Sequence, residues 1–346
     1  MNTRKLPPML LGLLLTPAVL PAATYCVGTR AELESALAQS SGDGVDDLIL
    51  LKAGAYALTT TLRANLLAGE NLGLSGGWQN AFGPCAVQGL DASASVLDGQ
   101  GQRPVLSIEG SGGTNDIVVS NLTIANGLRT AGDNSVRAGG LTVYAQPNHT
   151  GSILVERVRF LGNSAAMPGA ALAIVSRDDF VVRNNLFFGN SAPAAAGMLL
   201  DAAGNGHVVN NTLRGNTATS PATSSVSIAF AYAPASQYLL SNNLIWANVV
   251  PGQDDLFATS QTVLFSNNIE VQGGAAAAVS VGNTALDPQF APDSSGRLLA
   301  SSPLVNRGIN GALGGIGSLD LDARPRATGP VDIGAYELQE FRNGFE

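Results

Sequence analysis

The chain has 346 residues, of which 45% are hydrophobic and only 13% are charged, and it contains 41 glycines and 17 prolines. This length can bury a large core, and low charge with abundant glycine favours short strands joined by tight turns over a helical protein. The formal net charge of -8 argues against nucleic acid or an anionic membrane surface as a partner.

Residues 1–23 have the pattern of a secretory signal peptide. Two basic residues precede an apolar run from Met9 to Leu20, and small residues follow it, so cleavage is expected after Ala22 or Ala23. The run is shorter than the roughly 20 apolar residues that a membrane-spanning helix needs. We therefore expect an exported protein with no membrane span after processing.

The next predicted element is a short amphipathic helix. Thr29 is its expected N-cap, and Glu32 stands three residues later, as in a capping box. One face of the helix carries three apolar residues: Leu33, Ala36 and Leu37. We expect this helix to cap the open N-terminal end of a strand-rich domain, where unpaired strand edges would otherwise meet water.

The chain has two cysteines, Cys26 and Cys85, both in its first quarter. An even number of cysteines in an exported protein predicts one disulfide. A metal site is not expected, because no CxxC motif occurs and the two histidines, His149 and His207, are far apart in sequence. No cofactor is expected either.

A repeated segment dominates the middle of the chain. Copies such as "FVVRNNLFFGNSA" (from Phe180) and "HVVNNTLRGNTA" (from His207) combine a β-favouring run, polar residues, an apolar segment and an Asn beside Gly. The aligned positions lie 25 to 37 residues apart, and all but one carry Asn: Asn121, Val158, Asn185, Asn211, Asn243 and Asn268. Coils of this size cannot bury an apolar face alone and must stack. The repeat predicts an all-β, right-handed parallel β-helix over residues 24–300.

The recurring asparagines are predicted to form a structural ladder rather than a ligand site. Asn tolerates left-handed backbone geometry and can hydrogen-bond within a tight bend. Stacked in register, the amides of Asn121, Asn185, Asn211, Asn243 and Asn268 can bond to one another. We expect Val158 to interrupt this row and the Asn185 side chain to lie inside its bend.

The end of the chain differs in composition from the coils. Residues 301–337 begin with "SSPLVNRG" and end with "DIGAYE", and residues 338–346 form a short tail. Acidic and basic residues alternate in this block: Asp320, Asp322, Arg324, Arg326, Asp332 and Glu337. We expect ion pairs among them to fix a terminal cap over the last coil, with a binding role as the alternative.

Several of these segments resemble one bacterial family. They are "DLILLKAGAYAL", "LSGGWQNAFGPC", "LDPQF", "SSPLVNRG" and above all "LDLDARPRATGPVDIGAYE". Together they resemble choice-of-anchor Q domain proteins, which are secreted right-handed β-helices with a pectate-lyase-like fold, related to polymorphic outer membrane protein repeats. The resemblance implies export to the surface or surroundings of a Gram-negative bacterium. It implies no reaction and no catalytic residues.

A polysaccharide lyase needs a base and nearby carboxylates, and one local set offers them. Asp178, Asp179 and Arg183 lie within six residues, and His207 is a second candidate base. The structural alternatives are a turn for the two aspartates, a solvated strand residue for Arg183 and a structural role for a lone histidine. Two polar inserts, Gly127 to Arg137 and Ala218 to Ser224, are further candidates because they do not repeat.

The sequence thus favours an exported, non-enzymatic surface or secreted protein with a scaffold, adhesion or glycan-binding role. A lyase of acidic polysaccharides is the alternative. It requires the carboxylates and the arginine to converge in one groove. Extracellular glycans are the expected partners, and a monomer is expected because no trimerisation motif is present.

Overall fold

A computed structural model describes residues 22–67, 69–89, 91–220, 227–231, 237–248, 254–274, 276–292, 296–326 and 329–338. The described chain is almost entirely β-structure, with long parallel sheets and one α-helix. The predicted signal peptide up to residue 21 and the tail beyond residue 338 lie outside the described residues.

The strands form three sheets. The long sheet contains β1 (Ala23–Val27), β2 (Asp47–Lys52), β3 (Gly54–Ala57), β5 (Leu72–Gln79), β6 (Val87–Gln88), β7 (Ser95–Asp98), β9 (Ile117–Ala125), β12 (Ile153–Leu161), β15 (Phe180–Arg183), β16 (Leu186–Phe188), β19 (Gly206–Val209), β20 (Thr212–Arg214), β23 (Tyr238–Ser241), β24 (Leu244–Trp246), β26 (Thr262–Phe265), β27 (Asn268–Ile269) and β29 (Val279–Val281). The eight-stranded sheet contains β4 (Leu62–Leu66), β8 (Leu106–Gly110), β11 (Leu141–Ala145), β14 (Leu172–Ser176), β18 (Met198–Ala202), β22 (Ile228–Ala231), β25 (Leu256–Ala258) and β28 (Gln272–Gly274). The four-stranded sheet contains β10 (Leu128–Arg129), β13 (Ser164–Ala165), β17 (Ser191–Ala192) and β21 (Thr217–Ala218).

Strands of successive coils pair in parallel, one coil above the next. β12, for example, pairs with β9 of the preceding coil and with β15 and β16 of the following coil. Along β12 the side chains alternate, with Ile153 and Val155 buried between the sheets and Leu154 and Glu156 on the outer face. This stacking, which buries one continuous apolar core, is consistent with a parallel β-helix.

Helix α1 (Arg30–Gln39) begins with the predicted capping box. The Thr29 hydroxyl accepts a hydrogen bond from the Glu32 backbone N–H, and the Glu32 carboxylate accepts one from the Thr29 N–H at 3.1 Å. The buried face of the helix consists of Leu33, Ala36 and Leu37, which belong to the main core. The apolar spacing in the sequence therefore sets how this helix packs.

From β9 to β27, each long-sheet coil bends at a residue with left-handed backbone geometry. Six such residues, with φ between 51° and 56°, occupy equivalent places: Asn121, Arg157, Asn184, Asn210, Asn242 and Ser266. Asn is the residue other than Gly that adopts this geometry most readily, which accounts for four of the six. We call this set the bend row.

The residue after each bend-row member points into the bend, and here the asparagines form a ladder. The Asn185 side chain is fully buried. Its Nδ2 donates to the Val155 carbonyl at 2.9 Å and to Asn211 Oδ1 at 2.9 Å. Each Oδ1 also accepts from a backbone N–H of the preceding coil, as Asn211 Oδ1 does from Asn185 N at 3.0 Å. The ladder therefore satisfies backbone groups that the bend withdraws from the sheets.

The members of this ladder are Asn185, Asn211, Asn243, Asn267 and Asn283. The sequence alignment was wrong by one residue at both of its ends. Asn121 lies in the bend row, where its Nδ2 donates to the carbonyls of Gly76 and Gly89. Asn268 lies one residue beyond the ladder and bonds to Thr284 and Leu286. Val158 does not interrupt the row, because it stands at its start and donates its N–H to Asn185.

A second ladder, which the sequence analysis missed, follows the next bend. It contains Asn163, Asn190, Asn216 and Asn248, joined by Nδ2 to Oδ1 bonds of 2.8–3.0 Å. Asn190 is the asparagine of the repeated Gly-Asn pair, and the preceding Gly189 has φ 67°. The Gly-Asn pair is thus a bend residue followed by a ladder residue, the same arrangement as Asn184 and Asn185.

The C-terminal segment lies along the side of the stack and not over the last coil as predicted. We call residues 309–337 the strap. The bend-row asparagines hold it, because Asn184 Nδ2 donates to the Ile316 carbonyl at 2.8 Å and Asn210 Nδ2 to the Asp332 carbonyl at 3.0 Å. Asn242 and Ile309 bond to each other twice. Apolar strap residues also pack on outward strand residues such as Leu186.

A buried ion network holds the strap together, as the alternating charges suggested. Arg326 Nη1 lies 2.9 Å from Glu337 Oε2, and both side chains are buried. The Asp320 carboxylate accepts from the backbone N–H groups of Arg324 and Glu337, each at 2.6 Å. Burial is the main cause that raises the pKa of Glu337 to about 7, and it also raises the pKa of Asp320.

The predicted disulfide is present between Cys26 and Cys85, with Cα atoms 5.7 Å apart. Cys26 lies in β1, and Cys85 lies in the excursion between β5 and β6. The bridge therefore fastens the first strand to a later coil.

Candidate functional site

Asp179 is part of a structural row at the corner that precedes the long sheet. Its Oδ1 accepts the backbone N–H of Asn205, one coil further on, at 2.6 Å. The same bond to the next coil is made by other side chains at this corner: Asp46, Asn71, Asp116 and Asn205. The Asp179 carboxylate is thus engaged in joining coils, as the structural alternative expected.

Asp178 has a different partner. Its Oδ2 lies 2.8 Å from Nδ1 of His149, in the preceding coil. The His149 side chain is fully buried, and its Nε2 has no hydrogen-bond partner among the described residues. The pair joins two neighbouring turns, and because the imidazole ring is closed to solvent, His149 is not an exposed base.

Arg183 and His207 both lie beneath the strap. Arg183 Nε donates to Glu156 Oε2 at 2.8 Å, and its Nη1 donates to the Gly314 carbonyl at 3.2 Å. His207 packs so closely on Gly314 that a Cβ there would lie 2.5 Å from the His207 Cβ. Both side chains therefore serve strap attachment, and neither forms an acid–base pair with Asp178 or Asp179 among the described contacts.

A separate cleft opens on the outer face of the eight-stranded sheet. It has a volume of ≈ 250 Å³ and is lined by Tyr144, Ala145, Pro147, Val175, Ser176, Arg177, Asp201 and Ala203. Tyr144, Val175 and Asp201 are in register on β11, β14 and β18. With strands about 4.8 Å apart, Tyr144 and Asp201 are separated by roughly 10 Å along the stack.

The cleft combines three kinds of group. Tyr144 contributes an aromatic ring with a polar tip, Asp201 a partly exposed carboxylate and Arg177 an exposed guanidinium. The His149–Asp178 pair fixes the two turns that carry Pro147 and Arg177, since each of its members is within two residues of one of them. The walls of the cleft are therefore held by a partly buried polar contact.

The cleft is not apparent from the sequence. Its members are 59 residues apart at the extremes, from Tyr144 to Ala203, and come from three coils. The one available signal was the alternation of side chains along a strand, which places Tyr144 and Asp201 on outward positions. This alternation does not show which turns approach them.

The structure describes the whole of the first polar insert and part of the second. In the insert from Gly127 to Arg137 the Arg129 side chain is buried and donates to the Asp133 carbonyl at 3.2 Å. Residues 221–224 of the other insert lie outside the described residues.

Within the described ranges no group of three or more His, Cys, Asp or Glu side chains is arranged to hold a metal ion. No helix among the described residues is long and apolar enough to cross a membrane.

Comparison of the chain with protein-family models, curated proteins and solved structures gives no match.

Proposed function

We propose that the chain is an exported, non-enzymatic right-handed parallel β-helix that binds glycans through the cleft around Tyr144, Arg177 and Asp201. The observation that carries the proposal is the joint presence in one cleft of an aromatic ring, a guanidinium and a carboxylate. Few convergent polar groups beside an apolar wall are typical of small-ligand sites. A sugar offers C–H faces for the ring and hydroxyls for the charged groups.

The contacts of the lyase candidates favour a binding protein over an enzyme. Asp178 bonds to His149, Asp179 to the backbone of Asn205, and Arg183 to Glu156. A lyase would need its base and its carboxylates to meet around one substrate. The described contacts direct each of these groups to a different structural task, so the polysaccharide lyase is the weaker proposal.

Export and family membership belong to the same proposal. The apolar stretch before residue 21 supports export, and a disulfide is typical of proteins that fold in an oxidising compartment. The resemblance to choice-of-anchor Q domain proteins supports a location at the surface of a Gram-negative cell or outside it.

The proposed architecture includes α1 as a cap. Leu33, Ala36 and Leu37 belong to the main core, and α1 contacts β1, β2 and β4 at the start of the stack. A helix at that position shields the apolar side chains of the first coil from water.

The test is a glycan array combined with an absorbance assay for lyase products on the same preparation. We expect glycan binding without product formation. Tyr144→Ala and Arg177→Ala should each weaken binding about tenfold, a change of ~1.4 kcal/mol. Arg137→Ala is the matched control because Arg137 is exposed and lies outside the cleft.

Two outcomes contradict the proposal. If no glycan binds, or if all three variants bind glycans equally well, the cleft is not a glycan-binding site. Product formation that Arg183→Ala abolishes would instead establish the lyase.

A further inference from the structure

The last coil of the stack ends in a strand with one free edge. Among the described residues β29 pairs with β26 alone, through Val279–Val263, Ser280–Leu264 and Val281–Phe265. All three residues of β29 are exposed, in contrast to the buried first three residues of β26. The strand therefore presents backbone N–H and C=O groups on the side away from β26.

The edge strand and the residues immediately beside it in sequence are largely apolar and carry no charge. On β29 and in the segment that follows it, three apolar side chains are exposed: Val279 at 40%, Val281 at 56% and Leu286 at 43%. From Val271 to Leu286 the sequence contains no charged residue. Proteins usually protect a free strand edge with lysines, prolines or bulges, and this edge has none of these among its described residues. The strap does not cover this edge either, because it lies along the bend row.

The Asn ladder also ends at this coil, where Asn283 is the last rung among the described residues. Asn283 Oδ1 accepts from Asn267, and Asn283 Nδ2 donates to the Leu264 carbonyl at 3.1 Å and to Ser280 Oγ of its own coil at 3.0 Å. In every earlier rung the backbone N–H of the ladder residue donates to the asparagine of the next coil, as Asn267 N does to Asn283 Oδ1. Among the described residues no further coil accepts the N–H of Asn283, and β29 is the last long-sheet strand of the stack.

We propose that β29 pairs with β29 of a second copy of this chain, forming a two-fold dimer joined at the C-terminal ends of the two stacks. An uncharged edge suits this occupant, because a two-fold contact places identical residues opposite one another and like charges would repel there. Head-to-tail stacking would instead extend without limit, and α1, proposed above as the cap, occupies the opposite end.

The dimer departs from the monomer expected from the sequence, and it does not depend on glycan binding. The two β29 strands run antiparallel in it, because the two-fold axis reverses the stack direction. Main-chain hydrogen bonds supply the pairing, and the exposed valines supply apolar contact.

The experiment measures the mass of the full processed chain by analytical ultracentrifugation over the micromolar range. The wild type should shift from monomer to dimer as its concentration rises. Val281→Lys should raise the dimer dissociation constant at least tenfold, because it places two lysines at one interface. Leu313→Lys makes the same change at a strap residue that is 60% exposed, and it should dimerise as the wild type does. Far-UV circular dichroism checks that both variants are folded.

The orientation is tested by cross-linking. Ser280→Cys at the edge should give a disulfide-linked dimer on a non-reducing gel, whereas Ser35→Cys on the exposed face of α1 should not. A wild type that remains monomeric throughout, or a Val281→Lys variant that dimerises unchanged, overturns the proposal and leaves the edge to a strand of another protein. Larger open-ended assemblies overturn the two-fold arrangement.

Discussion

Asn184 and Asn185 are adjacent in sequence, yet their side chains face opposite sides of the coil wall. Asn184 has φ 56° and donates outward to the strap carbonyls of Ile316 and Leu319. Asn185 lies inside the bend and donates to Val155 and Asn211. One repeated dipeptide therefore supplies the bend, the attachment of the strap and the internal ladder.

Replacement of a central ladder residue should be among the most destabilising single changes. Asn211→Ala removes the acceptor of the Asn185 N–H and side-chain amide, the donor to the Val182 carbonyl and one of two bonds to Asn243 Oδ1, all in a buried bend. We expect a loss of about 3 kcal/mol, measured as the urea midpoint of unfolding. Asn134→Ala, at an exposed loop position, should change stability by less than about 0.5 kcal/mol. Equal midpoints for the two variants would contradict the ladder.

The two roles of Asn184 can be separated by two substitutions. Asn184→Gly keeps the left-handed backbone but loses the bonds to Ile316 and Leu319, so it should free the strap at a cost of about 1 kcal/mol. Asn184→Ala loses the same bonds and adds about 1–2 kcal/mol of backbone strain. Limited proteolysis within the strap measures the first effect, and thermal unfolding measures the second. If alanine and glycine give the same stability, backbone geometry is not what selects Asn here.

These residues also show how much of the ladder could be predicted from the sequence. Period, strand alternation and the polar pairs were sufficient to place Asn185, Asn211 and Asn243, because each copy there reads Asn-Asn. The alignment failed at Asn121, in "SNL", and at Asn268, in "SNNI", because a single Asn or a shifted pair leaves two rows indistinguishable by pattern. Only pairing between strands distinguishes the bend row from the ladder.

Other features could not be predicted from the sequence for a different reason. The strap contacts join residues 67 to 135 positions apart, such as Asn242 with Ile309 and Asn184 with Leu319. The His149–Asp178 pair joins two turns with no shared motif. Contacts of this kind leave no local periodicity in the sequence. The composition therefore indicated an ion-paired terminal block, but it could not show which surface the block covers.

The disulfide should account for much of the stability of the first coils. It closes a loop with a sequence separation of 59, for which the chain-entropy model gives about 4 kcal/mol. We expect the double variant Cys26→Ser with Cys85→Ser to unfold at a clearly lower temperature than the wild type. A reductant should lower the wild-type transition towards that of the double variant and leave the variant unchanged. A reductant effect of similar size on both proteins would show that the bridge is not its target.

Strap attachment should weaken as pH rises through neutrality. Burial raises the pKa of Glu337 to about 7 from its ordinary value of 4.5, so the folded strap holds this proton more tightly than the unfolded chain does. The resulting stabilisation is complete below about pH 4.5 and is lost as pH rises through about 7. The urea midpoint of the wild type should therefore fall over that interval.

Glu337→Gln replaces the titrating carboxyl with a neutral group that can still accept a hydrogen bond from Arg326. The fall in the urea midpoint should flatten near neutral pH, and some slope should remain from Asp255, whose pKa burial raises to about 6. Glu34→Gln, on the partly exposed face of α1, should keep the wild-type slope. If Glu337→Gln keeps that slope as well, the titration of Glu337 does not control the strap.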